Sequence, residues 1–360
     1  MSDSKYRIAI VGTGGIANAH AQAVTSLPDR ASLVAGVDVD LDRAKEFAAK
    51  WDIPAVYPSL TELLATGEVD LVHLCTPPSS HVPLAKECLA AEVDVLVEKP
   101  PTLSLDELDA LLEAESESSA QVICVFQHRF GSGAVRLRQL AADGVLGRPL
   151  VALCNTTWYR DDAYFAVPWR GTFDVEGGGP TMGHGIHQFD LLLSILGRWE
   201  KVTAIAARQA RPTQTEDVSM ALVTFENGAV ASIVNSLVSP RETSQLRFDY
   251  ENATVELEHL YGYKNDDWSL TPAPDHDAIS DAWSADLDDI PSGHTAQLAT
   301  VLDALNAGEP ASVSLGEARN TLELAAAIYA SAFTDKPIHR GELTRGTPYA
   351  HRMGGPGAPW

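Results

Sequence analysis

Basic residues are scarce in this chain. Against 49 Asp and Glu there are 26 Lys and Arg, a formal net charge of −23, and the cations form no cluster. A surface of that sign repels polyanions, which argues against nucleic acid and anionic membranes as partners. It still allows an anionic cofactor held locally at a helix N-terminus. Cysteine is also sparse: Cys75, Cys88, Cys124 and Cys154. None falls at the spacing of a metal clip, and each sits among apolar residues. Buried free thiols in a reducing compartment are expected, and no metal site. No apolar run is long enough to span a bilayer. Met1-Ser2-Asp3-Ser4-Lys5 lacks the apolar segment of a signal peptide, so the expected location is the cytoplasm. There is no internal repeat. What remains, 360 residues at 45% apolar and 21% charged, is enough for two domains with sizeable cores.

The first third alternates between strand and helix signals. Tyr6 to Val11 is a short apolar strand run that feeds Gly12-Thr13-Gly14-Gly15-Ile16-Ala17 and then a helical stretch to Leu27. This is G-x-G-x-x-A between strand and helix. Gly12 permits the tight turn, Gly14 lets a pyrophosphate approach the backbone, and Ala17 lets the helix pack on the strand. A second strand, Ser32 to Val37, ends at Asp38, where a carboxylate can accept hydrogen bonds from the adenosine ribose. No arginine follows it; Val39 and Asp40 come next, which favours NAD over NADP. Asp38 also fits a plain turn residue.

The alternation continues through capping boxes at Ser59-Leu60-Thr61-Glu62 and Ser104-Leu105-Asp106-Glu107. Strands are expected over Val69 to Cys75, Val93 to Val97 and Gln121 to Phe126, with helices between them. Such alternation means a parallel, doubly wound α/β sheet. Two loops then leave the same sheet edge as Gly12. One is Thr76-Pro77-Pro78-Ser79-Ser80-His81, whose Thr76, Pro77 and His81 are candidates to touch the nicotinamide half. The other is Glu98-Lys99-Pro100-Pro101. Its prolines stop both strand and helix, so the lysine sits on a fixed corner where ligands bind in such sheets. With its pKa lowered by its surroundings, Lys99 could serve as a general acid/base. The same four residues also fit a surface ion pair ahead of a turn.

After Phe126 the pattern changes. A helix over Gly133 to Ala142 and a strand over Pro149 to Thr157 precede a loop from Tyr159 to Pro180 rich in Tyr, Trp, Asp and Gly. Gly177-Gly178-Gly179 follows, then a helix that places His184, His187 and Asp190 at i, i+3 and i+6. That spacing fits metal ligands, a proton-relay histidine with an orienting carboxylate, or core histidines with their own partners. From Val202 to Leu257 the period is mostly two, with a hairpin turn at Asn227-Gly228, which predicts an antiparallel sheet. Tyr261 to Pro291 reads as an acidic loop, a lid or a subunit contact, before helices over Thr295 to Ala307 and Leu315 to Phe333.

Taken together, Gly12-x-Gly14-x-x-Ala17, Cys75-Thr76-Pro77-Pro78-Ser79-Ser80-His81, Glu98-Lys99-Pro100, Trp169-Arg170, Gly177-Gly178-Gly179 and His187-x-x-Asp190 resemble the glucose–fructose oxidoreductase/inositol dehydrogenase (Gfo/Idh/MocA) family over nearly the whole chain. The resemblance implies a Rossmann dinucleotide domain over 1–126. It implies a substrate-binding and oligomerisation domain over 127–360, α+β with a large, mostly antiparallel sheet that builds a homodimer or homotetramer. The implied activity is hydride transfer between NAD, or less favoured NADP, and a secondary alcohol or ketone of a sugar, cyclitol or related compound. Lys99 would be the acid/base and His187 the active-site histidine. Gly12, Thr13, Gly14, Gly15, Ile16, Asp38, Thr76, Pro77, His81, Glu98 and Lys99 would bind the cofactor, and Arg129, Trp169, Arg170, His184 and His187 the substrate. One position departs from the pattern: many relatives carry an aspartate where this chain has Gly183. Either His184 fills that gap, a bulkier substrate does, or proton transfer runs through Lys99 and His187 alone. Two other activities remain open within the resemblance, an NAD-using glycosidase and a dinucleotide-binding regulator without turnover.

Overall fold

A computed structural model of the chain describes residues 5–285 and 288–360. The amino-terminal stretch read above, 1–4, and two residues of the acidic loop, 286–287, lie outside the described residues. In chain order the first elements are β1 (Tyr6–Val11), α1 (Ala17–Thr25), β2 (Ala31–Val37), α2 (Leu41–Trp51), β3 (Ala55–Tyr57), α3 (Leu60–Leu64), β4 (Leu71–Leu74), α4 (His81–Ala90), β5 (Asp94–Val97), α5 (Leu105–Ser116) and β6 (Val122–Cys124). Next come α6 (Ser132–Ala142), β7 (Pro149–Tyr159), α7 (Asp162–Phe165), a π turn over Thr181–Gly185 and α8 (Ile186–Leu196). The rest comprises β8 (Trp199–Ala207), β9 (Val218–Phe225), β10 (Val230–Ser236), β11 (Val238–Tyr250), β12 (Ala253–His259), β13 (Trp268–Pro272), α9 (Ala278–Ser284), α10 (His294–Ala307), α11 (Leu315–Thr334), β14 (Ile338–His339) and α12 (Pro348–His351).

The chain forms two compact units. The first holds 1–102, 107–125 and 294–318; the second holds 103–106, 126–293 and 319–360. A single cut at 126, as the change of period suggests, does not separate the returning segment 294–318. That segment joins the first unit because α10 is apolar on one side. Leu298, Val301 and Leu302 pack among Ile8, Val24, Leu71, Leu96 and Ile123, and Arg30 donates to the Ala299 carbonyl at 2.9 Å.

In the first unit all six strands are parallel, in the order β3-β2-β1-β4-β5-β6. The order reverses between β1 and β4, so the loops after these strands, at Gly12 and Thr76, face the crevice where such sheets take ligands. The central strands β1, β4, β5 and β6 are mostly buried, which is why they read as mainly apolar runs, while the edge strand β3 is only half-buried.

The second unit has an eight-stranded sheet, β13-β12-β11-β7-β10-β9-β8-β14. It is antiparallel throughout except for β7 and β10, which run parallel. The expected mostly antiparallel sheet is present, and the strands within 202–257 that pair with one another do so antiparallel; the parallel pair joins β10 to β7, which precedes that region, and period-two alternation is silent on its direction. The acidic loop is also corrected, since it contains β13 and α9. Trp268 and Trp283 lie against each other, ring centroids 6.3 Å apart. All four cysteines are free and buried. Among the described residues no helix is long and apolar enough to cross a membrane.

Candidate active site

The first unit brings the predicted dinucleotide residues to one edge. Gly12 has φ +87°, and a Cβ there would lie 2.8 Å from Thr76 Cγ2 and 2.9 Å from the Cys75 carbonyl carbon. Glycine is therefore required twice, by conformation and by the close approach of the β4 end. Gly14 and Gly15 are different: a Cβ on either would meet nothing within 4 Å, and neither has positive φ. Nothing inside the protein needs a glycine there, so small size serves what approaches from outside. Exposed Ile16 leads into α1, whose first turn has no side-chain cap and no acidic residue. Its amides suit a phosphate. These features fit a dinucleotide pyrophosphate.

Asp38 is 6% exposed, and its carboxylate accepts from the Thr13 amide (2.8 Å), the Thr13 hydroxyl (2.9 Å), the Asp40 amide (3.0 Å) and Arg43 Nε (3.0 Å). Burial alone would raise this carboxyl; the hydrogen bonds from Arg43, Asp40 and Thr13 outweigh it and hold it at about 2. The statement that no arginine follows Asp38 is corrected in space. Arg43, five residues on, is carried back by the first turn of α2, which Asp40 caps, and pairs with Asp38.

Thr76 is half-buried and Pro77 exposed at the start of their loop. His81 has another task than the one expected of it. Its ring is fully buried, with Nδ1 2.9 Å from the Pro100 carbonyl and Nε2 2.8 Å from that of Thr76. It ties the Thr76 loop to the Lys99 corner, and both ring nitrogens are occupied by backbone. Glu98 is 5% exposed and Lys99 half-buried, at the carboxyl end of β5. Glu98 Oε2 accepts the Lys99 amide at 3.1 Å.

Sequence reading missed what surrounds Glu98. Its Oε1 lies 3.0 Å from His20 Nε2 and 3.1 Å from His294 Nε2, and His20 Nδ1 is 3.1 Å from His73 Nδ1. His20, Glu98 and His294 are also the residues, among those described, whose ligand atoms lie within the 4.8 Å that metal-ion ligands span. The residues come from α1, β4, β5 and α10, so no local spacing reveals them.

In the second unit His187 is 6% exposed at the start of α8. Its ring lies 5.0 Å from His128 and 5.9 Å from Tyr261. His128 also faces Tyr261 and Tyr263. The π turn gives His184 a separate neighbourhood against Trp158 (5.1 Å) and Tyr164 (5.9 Å). His184, His187 and Asp190 therefore do not form one polar face. Asp190 is fully buried and bound by Arg129 (Nε–Oδ2 2.7 Å) and by the Thr321 hydroxyl (2.7 Å). Asp190 is thus taken by Arg129 and Thr321, and Arg129, assigned to the substrate above, has this carboxylate as a partner. Arg129 meets a buried carboxylate bidentately, a pair that holds α8.

Trp169 and Arg170 do come together with other polar groups. The Arg170 guanidinium stacks between Trp169 (4.1 Å) and Tyr164 (4.3 Å), donates to Glu176 at 2.8 Å and bonds the Tyr164 hydroxyl. Burial, then the charge of Glu176, push the Tyr164 phenol up to about 12, so it stays a neutral donor. A Cβ at Gly183 would meet only Glu176 Oε1, at 3.7 Å. The carboxylate facing that position is thus Glu176, from the preceding loop, while His184 is turned to Trp158. Planar rings beside fixed charged donors and acceptors suit a polyhydroxylated ligand.

Residues 6–126 match the oxidoreductase family with an NAD-binding Rossmann fold, and residues 134–256 match the Gfo/Idh/MocA carboxyl-terminal domain. The chain is 30% identical to the UDP-N-acetylglucosamine 3-dehydrogenase of Acidithiobacillus ferrooxidans over 255 residues, 71% of this chain and 74% of that protein. It is 28% identical to the myo-inositol 2-dehydrogenase of Thermotoga maritima over 237 residues, 64% of this chain and 68% of that protein. The crystal structure of the WlbA dehydrogenase from Bordetella pertussis, in complex with NADH and UDP-GlcNAcA, superposes with a TM-score of 0.83 at 27% identity, covering 94% of this chain and 99% of that one. The chain belongs to the Gfo/Idh/MocA family, NAD-dependent dehydrogenases of the sugar and polyol type.

Proposed function

We propose that the protein interconverts a secondary alcohol and a ketone on a sugar, cyclitol or nucleotide sugar, with Lys99 exchanging the hydroxyl proton. The observation that carries this reading is the corner at β5, where a lysine is fixed by a buried glutamate at the ligand edge of a parallel sheet. The names of two relatives, which specify a cyclitol and a nucleotide sugar, support the substrate class.

NAD, when bound, supplies the hydride acceptor. Gly14, Gly15 and the first turn of α1 would hold its pyrophosphate, and Asp38 its adenosine ribose. Lys99 in its neutral form takes the proton of the reacting hydroxyl, which lets the carbon release hydride; in the reverse direction it returns that proton. In the second unit, His187, Arg170, Glu176 and Tyr164 are the groups suited to hydroxyls of a sugar-like ligand. Burial and the aromatic rings around them keep these contacts dry, which strengthens them.

The test is nicotinamide absorbance with NAD or NADP against a panel of sugars, cyclitols, nucleotide sugars and aryl glycosides. NADH formation on one substrate class, absent in Lys99→Met with NAD binding retained, is the expected result. Glycoside cleavage without net NADH, or NAD binding with no chemistry on any class, would overturn it.

A further inference from the structure

We propose that His20, His73 and His294 are positioning residues for Lys99, acting through Glu98. The proposal rests on the reading of Lys99 as the proton-exchanging group.

Three hydrogen bonds join the four side chains, and His73 Nε2 is buried without a partner. Glu98 Oε1 faces the Nε2 atoms of His20 and His294, and Oε2 accepts the Lys99 amide. An ionised carboxylate only accepts, so both Nε2 atoms carry protons. A neutral His20 then accepts at Nδ1, and the Nδ1–H of His73, 3.1 Å away, is the donor. One tautomer assignment serves these contacts with His20 and His73 neutral and one negative charge on Glu98. The rings are packed face to edge or tilted, His20 5.0 Å from His73 and 4.7 Å from His294. His20 and His73 are fully buried.

The ionisation states agree with this assignment. Burial opposes charge on Glu98, but the hydrogen bonds from His20 and His294 outweigh it and hold the carboxyl well below its usual range. Burial lowers His20 and His73, keeping them neutral. Among the described residues, Cys75, at the end of β4, and His81, on α4, also lie in the field of Glu98. Burial raises the first and lowers the second, against the pull of the two carbonyls that face the His81 ring.

The set does two things for Lys99. It pins the Lys99 amide to an immobile acceptor, and it spreads the Glu98 charge into two imidazole N–H groups. A carboxylate stripped of one donor is a stronger attractor of protons and favours the ammonium form of a neighbouring lysine. The acid limb of the rate profile, which reports Lys99 losing its proton, would then move up.

The experiment uses the full-length enzyme, NAD and the substrate class identified by the panel. His294→Leu removes one donor, and His294→Gln keeps an N–H that can reach Glu98. NAD binding by tryptophan fluorescence and the melting temperature check that each variant folds. The expected result for His294→Leu is a kcat/KM lower by roughly tenfold to hundredfold, as for loss of a hydrogen bond to a charged group. Its acid limb should rise by roughly half to one pH unit, and His294→Gln should restore most of both. Glu98→Gln, which removes the charge, should shift the limb the opposite way. A limb that stays in place in folded His294→Leu and Glu98→Gln would overturn the inference. So would stoichiometric zinc binding to the wild type that raises its melting temperature and is lost in His294→Leu, since the cluster would then be a metal site. Lys99→Met separates the two levels. If it turns over like the wild type, the acid/base reading fails; if it is inactive and the His294→Leu limb is unmoved, only the positioning role fails.

Discussion

Replacing Asp38 by Asn should destabilise the protein by an amount that depends on pH in a calculable way. The folded carboxyl titrates at about 2, against 3.8 for an unperturbed aspartate, and the residue is only 6% exposed. A depressed carboxyl stabilises the fold above the unfolded pKa and loses that contribution as pH falls through the folded one. A shift of this size corresponds to about 2 kcal/mol at pH 7 and about half of that at pH 3. Asn keeps the size but loses the charge that Arg43 and Thr13 address. The assay is urea unfolding followed by tryptophan fluorescence at both pH values, with the midpoint compared at unchanged slope. The wild-type advantage should be clear at pH 7 and shrink by about half at pH 3. Equal midpoints at pH 7, or a gap that does not narrow in acid, would refute the assignment of Asp38 as a charged, Arg43-bound group.

The same pair predicts cofactor choice. Asp38→Ala removes a ribose acceptor and frees the Arg43 guanidinium for a 2′-phosphate, so kcat/KM for NADP relative to NAD should rise by tenfold or more; an unchanged ratio would contradict that placement. Asp190→Leu removes the carboxylate that the largely covered Arg129 guanidinium meets bidentately and should cost about 3–5 kcal/mol in the same urea assay. Gly183→Ala meets only Glu176 Oε1 at 3.7 Å and should change stability by less than about 0.5 kcal/mol. Gly185→Ala overlaps the Asn235 side chain and should lower yield and melting temperature together. On the sheet of the second unit, Ile205, Met220 and Leu222 are 64%, 45% and 68% exposed, and Ile205 pairs with Met220 across β8 and β9. Self-association through this apolar face is the expectation: light scattering of the wild type should show an oligomer and Leu222→Arg a smaller species, and a monomeric wild type would contradict it.

The dinucleotide half was legible because its chemistry is local. Gly12 sits at a strand end one turn before a helix, Asp38 ends the next strand, and Lys99 precedes two prolines; each can be read without knowing the rest of the fold. What stayed hidden is assembled from distant segments. Arg43 returns to Asp38 only because Asp40 caps α2. His20 and His294 meet at Glu98 across 274 positions of sequence, with His73 behind His20, and only the return of 294–318 to the first unit brings His294 in. In the second unit, regular helical spacing placed His184 and Asp190 beside His187. The π turn ending at Gly185 changes the phase, and Arg129 and Thr321 claim Asp190. The parallel pairing of β7 with β10 is likewise silent in a pattern that alternates in the same way in either direction.

The central claim is that Lys99 exchanges the substrate proton. The most direct test is the pH dependence of NAD reduction by the wild type and by Lys99→Met, measured on the substrate class the panel identifies, with NAD affinity determined in parallel. The account predicts that the variant binds NAD normally, loses roughly a hundredfold to ten-thousandfold in rate at neutral pH, and no longer shows the wild-type acid limb. A variant that reduces NAD within tenfold of the wild type, on the same acid limb, would contradict it.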